Sequence, residues 1–187
     1  MIPISKLKFG KEEERLILST LRTGMVSQGH LTKQFEDLFK NLCGVKHAIA
    51  VNNGTTSLVA SLQVLNLEPG DEVITSPFTF SATLNAILES GATAVFADIN
   101  ESDFNIDPTS VEKRITQKTK VIMPVHLYGQ MADMAAISKI ATENKLRLVE
   151  DAAQSHLATD MGRYAGSFDL GSFSFYATKN LTSGEGG

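Results

Sequence analysis

Apolar positions along the chain change their spacing once. Through the first 45 residues they recur every three to four positions, as in Phe35, Leu38, Phe39 and Leu42, which is the period of a helix face. Two helices are predicted there, Lys11 to Leu21 and Leu31 to Leu42, joined through Gly24 and Gly29. Beyond them, short and almost wholly apolar runs alternate with longer amphipathic stretches. The runs predict strands at His47 to Val51, Glu72 to Thr75, Ala94 to Ala97, Val121 to Val125, Leu146 to Glu150 and Ser172 to Tyr176. The stretches predict helices at Thr56 to Leu65, Ser81 to Glu89, Pro108 to Ile115 and Ala132 to Asn144. Leu58, Leu62 and Leu65 stand one and two turns apart, as do Met134, Ile137 and Ala141, so each helix has a face to lay on a sheet.

Strands that are apolar on both faces and alternate with helices predict an α/β fold, a three-layer αβα arrangement around a mostly parallel sheet. Ligands of such sheets bind beyond the carboxyl ends of the strands, so polar residues just after each strand are where chemistry is expected. No internal repeat, low-complexity tract or interdomain linker interrupts the pattern.

Composition narrows the classes without choosing among enzymes. At 187 residues, 42% hydrophobic and 20% charged, the chain is long enough for a sizeable core and unlike a disordered or fibrous sequence. A formal charge of −4 gives no field for a phosphate backbone, so nucleic acid is not an expected partner. Cys43 is the single cysteine, and no Cys/His cluster has metal-ligand spacing, so neither a disulfide framework nor a metal site is expected. No apolar run approaches the ~20 residues of a spanning helix and the start has no signal-like run, which makes a cytoplasmic protein without membrane contact the expectation.

Four strand exits carry candidate chemistry. The first leads into Asn52-Asn-Gly-Thr-Thr-Ser57, where small residues at a helix N-terminus can present backbone N–H groups to a phosphate; the plain alternative is an N-cap by Thr55. The second leads to Phe80, either rim packing or a platform for a planar ring. The fourth leads to His126, which can be a base, a ligand or a hydrogen-bonded structural histidine. The fifth ends in Glu150-Asp151, whose side chains point to opposite faces, so one carboxylate at most serves a given site. Asp151 is then either a solvated cap or the partner of a buried cationic ring nitrogen. The last segment, Ser172 to Gly187, delivers Lys179 with glycines behind it; a desolvated lysine offers the free amine that carbonyl chemistry needs. Phosphate cradle, ring platform, acid, hydroxyl and lysine, in that order, match one cofactor, pyridoxal phosphate. No nucleotide-binding glycine motif competes.

These residues resemble the sugar-nucleotide aminotransferases of the DegT/StrS type, among the fold-type I pyridoxal-phosphate enzymes. The resemblance runs through Ile2-Pro-Ile-Ser, Gly29, Phe35-Glu36, Gly54-Thr55, Gly70 to Val73, Pro77 to Phe80, His126 to Gln130, Glu150 to Gln154 and Ser172 to Gly187. It implies a site in which Gly54 and the amides of Thr55 and Thr56 cradle the cofactor phosphate and Ser174 adds a hydroxyl. Phe80, where some members carry Trp, stacks on the ring. Asp151 pairs with the pyridine nitrogen, Gln154 meets the phenolic oxygen, and Lys179 takes up the aldehyde. Lys179 and Asp151 are the implied catalytic pair, and a lysine rather than the histidine of the dehydratase relatives favours transamination.

The implied activity moves an amino group, with glutamate as donor, to a nucleotide-linked keto-sugar for amino-sugar and polysaccharide biosynthesis. Members are homodimers with sites completed across the interface. They also run to about twice this length, which makes 1–45 an N-terminal helical segment and 46–187 an incomplete cofactor-binding large domain without its small C-terminal domain. Apolar surface is expected where absent parts would pack. A truncated, non-catalytic or regulatory relative that still binds the cofactor is the competing reading.

Overall fold

The structure is a computed structural model that describes residues 6–187. The Ile2-Pro-Ile-Ser part of the resemblance therefore lies outside the described residues. Two helices come first, α1 (Lys11–Thr23) and α2 (His30–Cys43), each closed by a glycine in the left-handed region, Gly24 at φ 72° and Gly44 at φ 67°. Only glycine takes that conformation without a Cβ penalty, which is why the predicted helices stop close to where the sequence places them. α1 buries none of its residues, and Leu16, Ile17, Leu18 and Leu21 stand exposed along it.

The remaining elements follow in alternation: α3 (Gly54–Gln63), β1 (Glu72–Thr75), α4 (Ser81–Glu89), β2 (Thr93–Phe96), α5 (Pro108–Arg114), β3 (Thr119–Met123), α6 (Met134–Asn144) and β4 (Arg147–Asp151). A two-stranded antiparallel hairpin, β5 (Thr159–Asp160) and β6 (Arg163–Tyr164), precedes β7 (Leu170–Ser172). The five-stranded sheet has the order β2-β1-β3-β4-β7, with every pair parallel. The chain leaves β1 outward to β2 and returns on the other side to β3, so the order reverses between β1 and β3. In open parallel sheets, ligands bind beside such a reversal, at the carboxyl ends of the strands.

Side-chain alternation divides the core into two layers. Val73, Val121, Met123 and Val149 face α3 and α4, where Leu58, Leu62, Ala86 and Ile87 meet them. Their neighbours Ile74, Ile122 and Leu148 face Val111 of α5 and Met134, Ile137 and Ile140 of α6. The strands are apolar on both faces because both faces are covered, and the three-layer αβα expectation holds. A third cluster under the last segment joins Phe173 and Phe175 to Ala152 and Ala165, with Phe39 of α2 packed against it.

Two strand predictions need correction. His47 to Val51 is not a strand: of that run only Val51 finds a ladder partner, exchanging two backbone hydrogen bonds with Gly187 at 2.9 and 3.0 Å. Of Ser172 to Tyr176, only Ser172 lies in β7; the rest runs on without strand pairing apart from an isolated bridge between Tyr176 and Gly184. Smaller shifts come from caps. α3 begins two residues before Thr56 because Asn53 caps it, and α6 begins at Met134 because the Asp133 side chain accepts the Ala136 amide.

Candidate active site

The polar residues predicted at the strand exits gather at one edge of the sheet. Asp151 ends β4, paired in register with Ser172, and the Ala152 amide bonds the Ser172 carbonyl at 2.8 Å. Two residues on, Ser174 is buried against the start of α3. A Cβ built on Gly54 would stand 2.7 Å from the Ser174 Cβ and 3.2 Å from the Phe173 carbonyl oxygen, so glycine alone lets the helix start sit this close. Gly54→Ala is therefore expected to cost about 1–3 kcal/mol by forcing α3 off the last segment. The check is the denaturant midpoint of the full-length variant, and an unchanged midpoint would refute the close fit.

The first turn of α3 has N–H groups without intrahelical acceptors, as every helix does. The N-cap is Asn53, not Thr55: its Oδ1 takes the Thr56 amide at 2.8 Å. Thr55 and Thr56 are both exposed at this end, on the positive side of the helix dipole. The Thr56 amide is thus already engaged by a side chain and the Ser57 amide by the Asn53 carbonyl at 3.1 Å, while Gly54 is buried and Thr55 exposed.

Asp151 is buried, with a hydrogen bond to each carboxylate oxygen. Its Oδ2 accepts the Thr83 hydroxyl at 2.7 Å and its Oδ1 accepts the Ala153 amide at 3.2 Å. Burial pushes its carboxyl above the ordinary carboxylate value, against the opposing pull of the Thr83 hydroxyl, the Ala153 amide and the positive charge of Lys179. Phe80 connects to the same point through one turn of α4, whose Thr83 amide bonds the Phe80 carbonyl at 3.1 Å. The ring itself is 71% exposed. Gln154 Oε1 accepts the Tyr128 amide at 3.0 Å, which leaves its NH₂ as the donor end.

Lys179 is half-buried, and its charge reaches both Asp151 and His156. The loop that carries it is tied down at several points. The Lys179 amide bonds the Tyr176 carbonyl at 2.9 Å, the Phe175 amide bonds the Gly186 carbonyl at 2.8 Å, and the Thr182 hydroxyl bonds the Phe175 carbonyl at 2.9 Å. His156 lies beside it against Phe173 and Phe175, with Nδ1 and Asn180 Oδ1 2.6 Å apart. Burial pulls the His156 pKa down, so the ring is held neutral, and its Nε2 is buried without a hydrogen-bond partner among the described residues.

His126 takes the structural role among the three left open. It is fully buried; Nδ1 accepts the Ala132 amide at 3.2 Å, which puts the proton on Nε2, 2.9 Å from Glu150 Oε2. Glu150 also accepts the amides of Gly166 at 2.8 Å and Phe168 at 2.7 Å. Its carboxylate points away from that of Asp151, as the alternation of a strand requires. Three functional contacts escape a reading of the sequence: Thr83 on Asp151, Asn53 as the cap, and Asn180 on His156. Only Asn53 carries a local signal, an Asx residue one position before a helix.

A buried acid, a close glycine turn at a helix start, an exposed ring and a tethered lysine at one sheet edge fit a ring cofactor that bears a phosphate and an aldehyde. The relatives agree with that arrangement. The model of the DegT/DnrJ/EryC1/StrS aminotransferase family matches residues 8–187. The chain is 48% identical over its whole length to the spore coat polysaccharide biosynthesis protein SpsC of Bacillus subtilis, of which it covers 48%. It is 44% identical to the GDP-perosamine synthase of Caulobacter vibrioides, over 95% of this chain and 48% of that protein. Among solved structures, NtdA from Bacillus subtilis with bound cofactor PMP superposes with a TM-score of 0.86 at 41% identity, over 95% of this chain and 41% of that one. The chain thus spans about half the length of the curated relatives it matches. By the extent of the family match and the identity to its relatives, this chain belongs to the DegT/DnrJ/EryC1/StrS aminotransferase family.

Proposed function

We propose that the protein is a pyridoxal-phosphate-dependent aminotransferase that transfers an amino group from glutamate to a nucleotide-linked keto-sugar. The observation that carries this reading is a buried Asp151 at the carboxyl end of β4, held by Thr83 and the Ala153 amide, on the same side of the parallel sheet as the hydrogen-bonded loop that carries Lys179. The names of the two curated relatives, one in polysaccharide biosynthesis and one a GDP-sugar synthase, support the sugar substrate.

When bound, pyridoxal phosphate supplies an aldehyde that condenses with amines and a ring that accepts the electrons released at the donor's Cα. The residues of this chain supply the rest. The exposed start of α3 at Thr55, with the Ser174 hydroxyl, would hold the phosphate, and Gly54 lets the helix start and Ser174 sit close enough to share it. Phe80 would cover one ring face, and the free NH₂ of Gln154 would donate to the phenolic oxygen. Asp151 in its anionic form, which the Thr83 and Ala153 donors favour against the burial that opposes it, would hold the proton on the ring nitrogen. Lys179 would bind the aldehyde at rest and, once displaced, move the proton from the donor's Cα. Its tethered loop limits how far the amine can stray, and that positioning converts into rate.

The exposed apolar stripe of α1, Leu16, Ile17, Leu18 and Leu21, supports a homodimeric assembly of the full-length protein. Ile17→Glu combined with Leu21→Glu is expected to weaken self-association in sedimentation while leaving the sheet domain folded. A variant pair that sediments as the wild type would remove this support. For the activity itself, glutamate alone should convert the visible band of the loaded full-length protein to the near-ultraviolet band of its amine form. A panel of nucleotide-linked keto-sugars should then restore the visible band, and restoration by none of them would overturn the acceptor assignment.

A further inference from the structure

Thr83 has no exposed surface, sits in the first turn of α4 and stands 2.7 Å from two oxygens at once, Asp151 Oδ2 and Thr79 Oγ1. An ionised carboxylate has lone pairs only, so with Asp151 ionised the Thr83 proton must point at it. The Thr83 oxygen then accepts, and the Thr79 hydroxyl is the donor. The three groups form one directed chain, Thr79 O–H to Thr83 O–H to Asp151, across the loop after β1, the start of α4 and the end of β4. A buried threonine in a helix ordinarily bonds back to a carbonyl four residues earlier. Thr83 reaches instead to a strand residue 68 positions away.

We propose that Thr83 is a positioning residue for the cofactor: its hydroxyl, oriented by Thr79, fixes the Asp151 carboxylate as the anion that receives a protonated ring nitrogen. The proposal rests on the pyridoxal-phosphate reading of the site. Burial alone drives a carboxylate toward its neutral form, and a neutral acid at this position could not hold that proton in place. The Thr83 hydroxyl and the Ala153 amide arrive on different oxygens, which fixes the plane of the carboxylate as well as its charge. One lone pair on each oxygen remains for a ligand.

The test uses the full-length protein and the dissociation constant for pyridoxal phosphate, read from the visible band. Thr83→Val deletes the hydroxyl and keeps the branched shape, whereas Thr83→Ser keeps the hydroxyl and deletes the methyl. Because a hydrogen bond to a charged group is among the stronger ones, Thr83→Val should weaken cofactor binding about tenfold. Thr83→Ser should stay within about twofold of the wild type, since the hydrogen bond survives. A packing role for Thr83 predicts the reverse order, and that order, or equal losses in both, would overturn the proposal. If Thr83→Val does not fold, Thr79→Val removes the outer donor alone, with an expected loss of about two- to threefold from weaker polarisation of the remaining bond; unchanged affinity there overturns the chain. Tight binding by the wild type with an unaffected Thr83→Val sinks only this role, while no binding by the wild type sinks the cofactor reading with it.

Discussion

Lys179→Ala is expected to lower transamination by about 10²–10⁴-fold from the loss of positioned proton transfer alone, with a further loss from the missing covalent partner. The expectation rests on how the lysine is held. Its loop is pinned by the Phe175–Gly186, Thr182–Phe175 and Lys179–Tyr176 hydrogen bonds, and the loop end closes on Val51 through Gly187. An amine carried on so constrained a loop has no ready substitute beside it, because the neighbouring His156 is buried, held neutral and engaged by Asn180. Lys179→Arg should fail as fully as alanine, since a guanidinium does not give up its proton. Folding should survive both changes within about 0.5 kcal/mol, because the side chain is only half-buried and the bonds that hold the loop come from the backbone and Thr182. Full activity in the alanine variant would remove Lys179 from the chemistry.

The largest effect on stability is expected at Glu150, outside the chemistry. Its carboxylate is fully buried and accepts three donors, from His126, Gly166 and Phe168. Glu150→Ala leaves a buried imidazole N–H and two backbone N–H groups without acceptors, and breaking a buried pair in this way costs about 3–5 kcal/mol. The loss should appear as a lower denaturant midpoint at an unchanged slope. Glu150→Gln keeps the volume but turns an NH₂ toward one of the donors, so a smaller loss of about 1–3 kcal/mol is expected. The pair also ties the end of β4 to the turn at His126, whose own amide bonds the Asp151 carbonyl at 3.0 Å. A stable Glu150→Ala protein would show that this brace carries little of the fold.

Much of this architecture was legible in the hydrophobic pattern, and the exceptions share a cause. β1 and α4 have the predicted bounds because each is set by its own residues: an apolar run between turns, and an amphipathic stretch with a clear end. His47 to Val51 looks like a strand by the same standard, yet a strand exists only where another supplies hydrogen bonds, and only Val51 has one. The candidate site divides in the same way. Asp151, Phe80, Ser174 and Lys179 are visible as chemical types at strand exits, where an α/β sheet puts its ligands. Thr83 and the brace role of Glu150 are not visible, because their meaning lies in partners far along the chain. A threonine inside a helix and a glutamate inside a strand look like ordinary filler until the fold brings Asp151 and His126 beside them.

The central claim is that Lys179 is the residue that holds pyridoxal phosphate. Borohydride reduction of the loaded full-length protein, followed by digestion and peptide mapping, tests it most directly, because reduction makes the link between amine and aldehyde permanent. The account predicts loss of the visible band and one modified peptide, carrying the phosphopyridoxyl group on Lys179. A label on another lysine, or a reduced protein in which Lys179 stays unmodified, would contradict it.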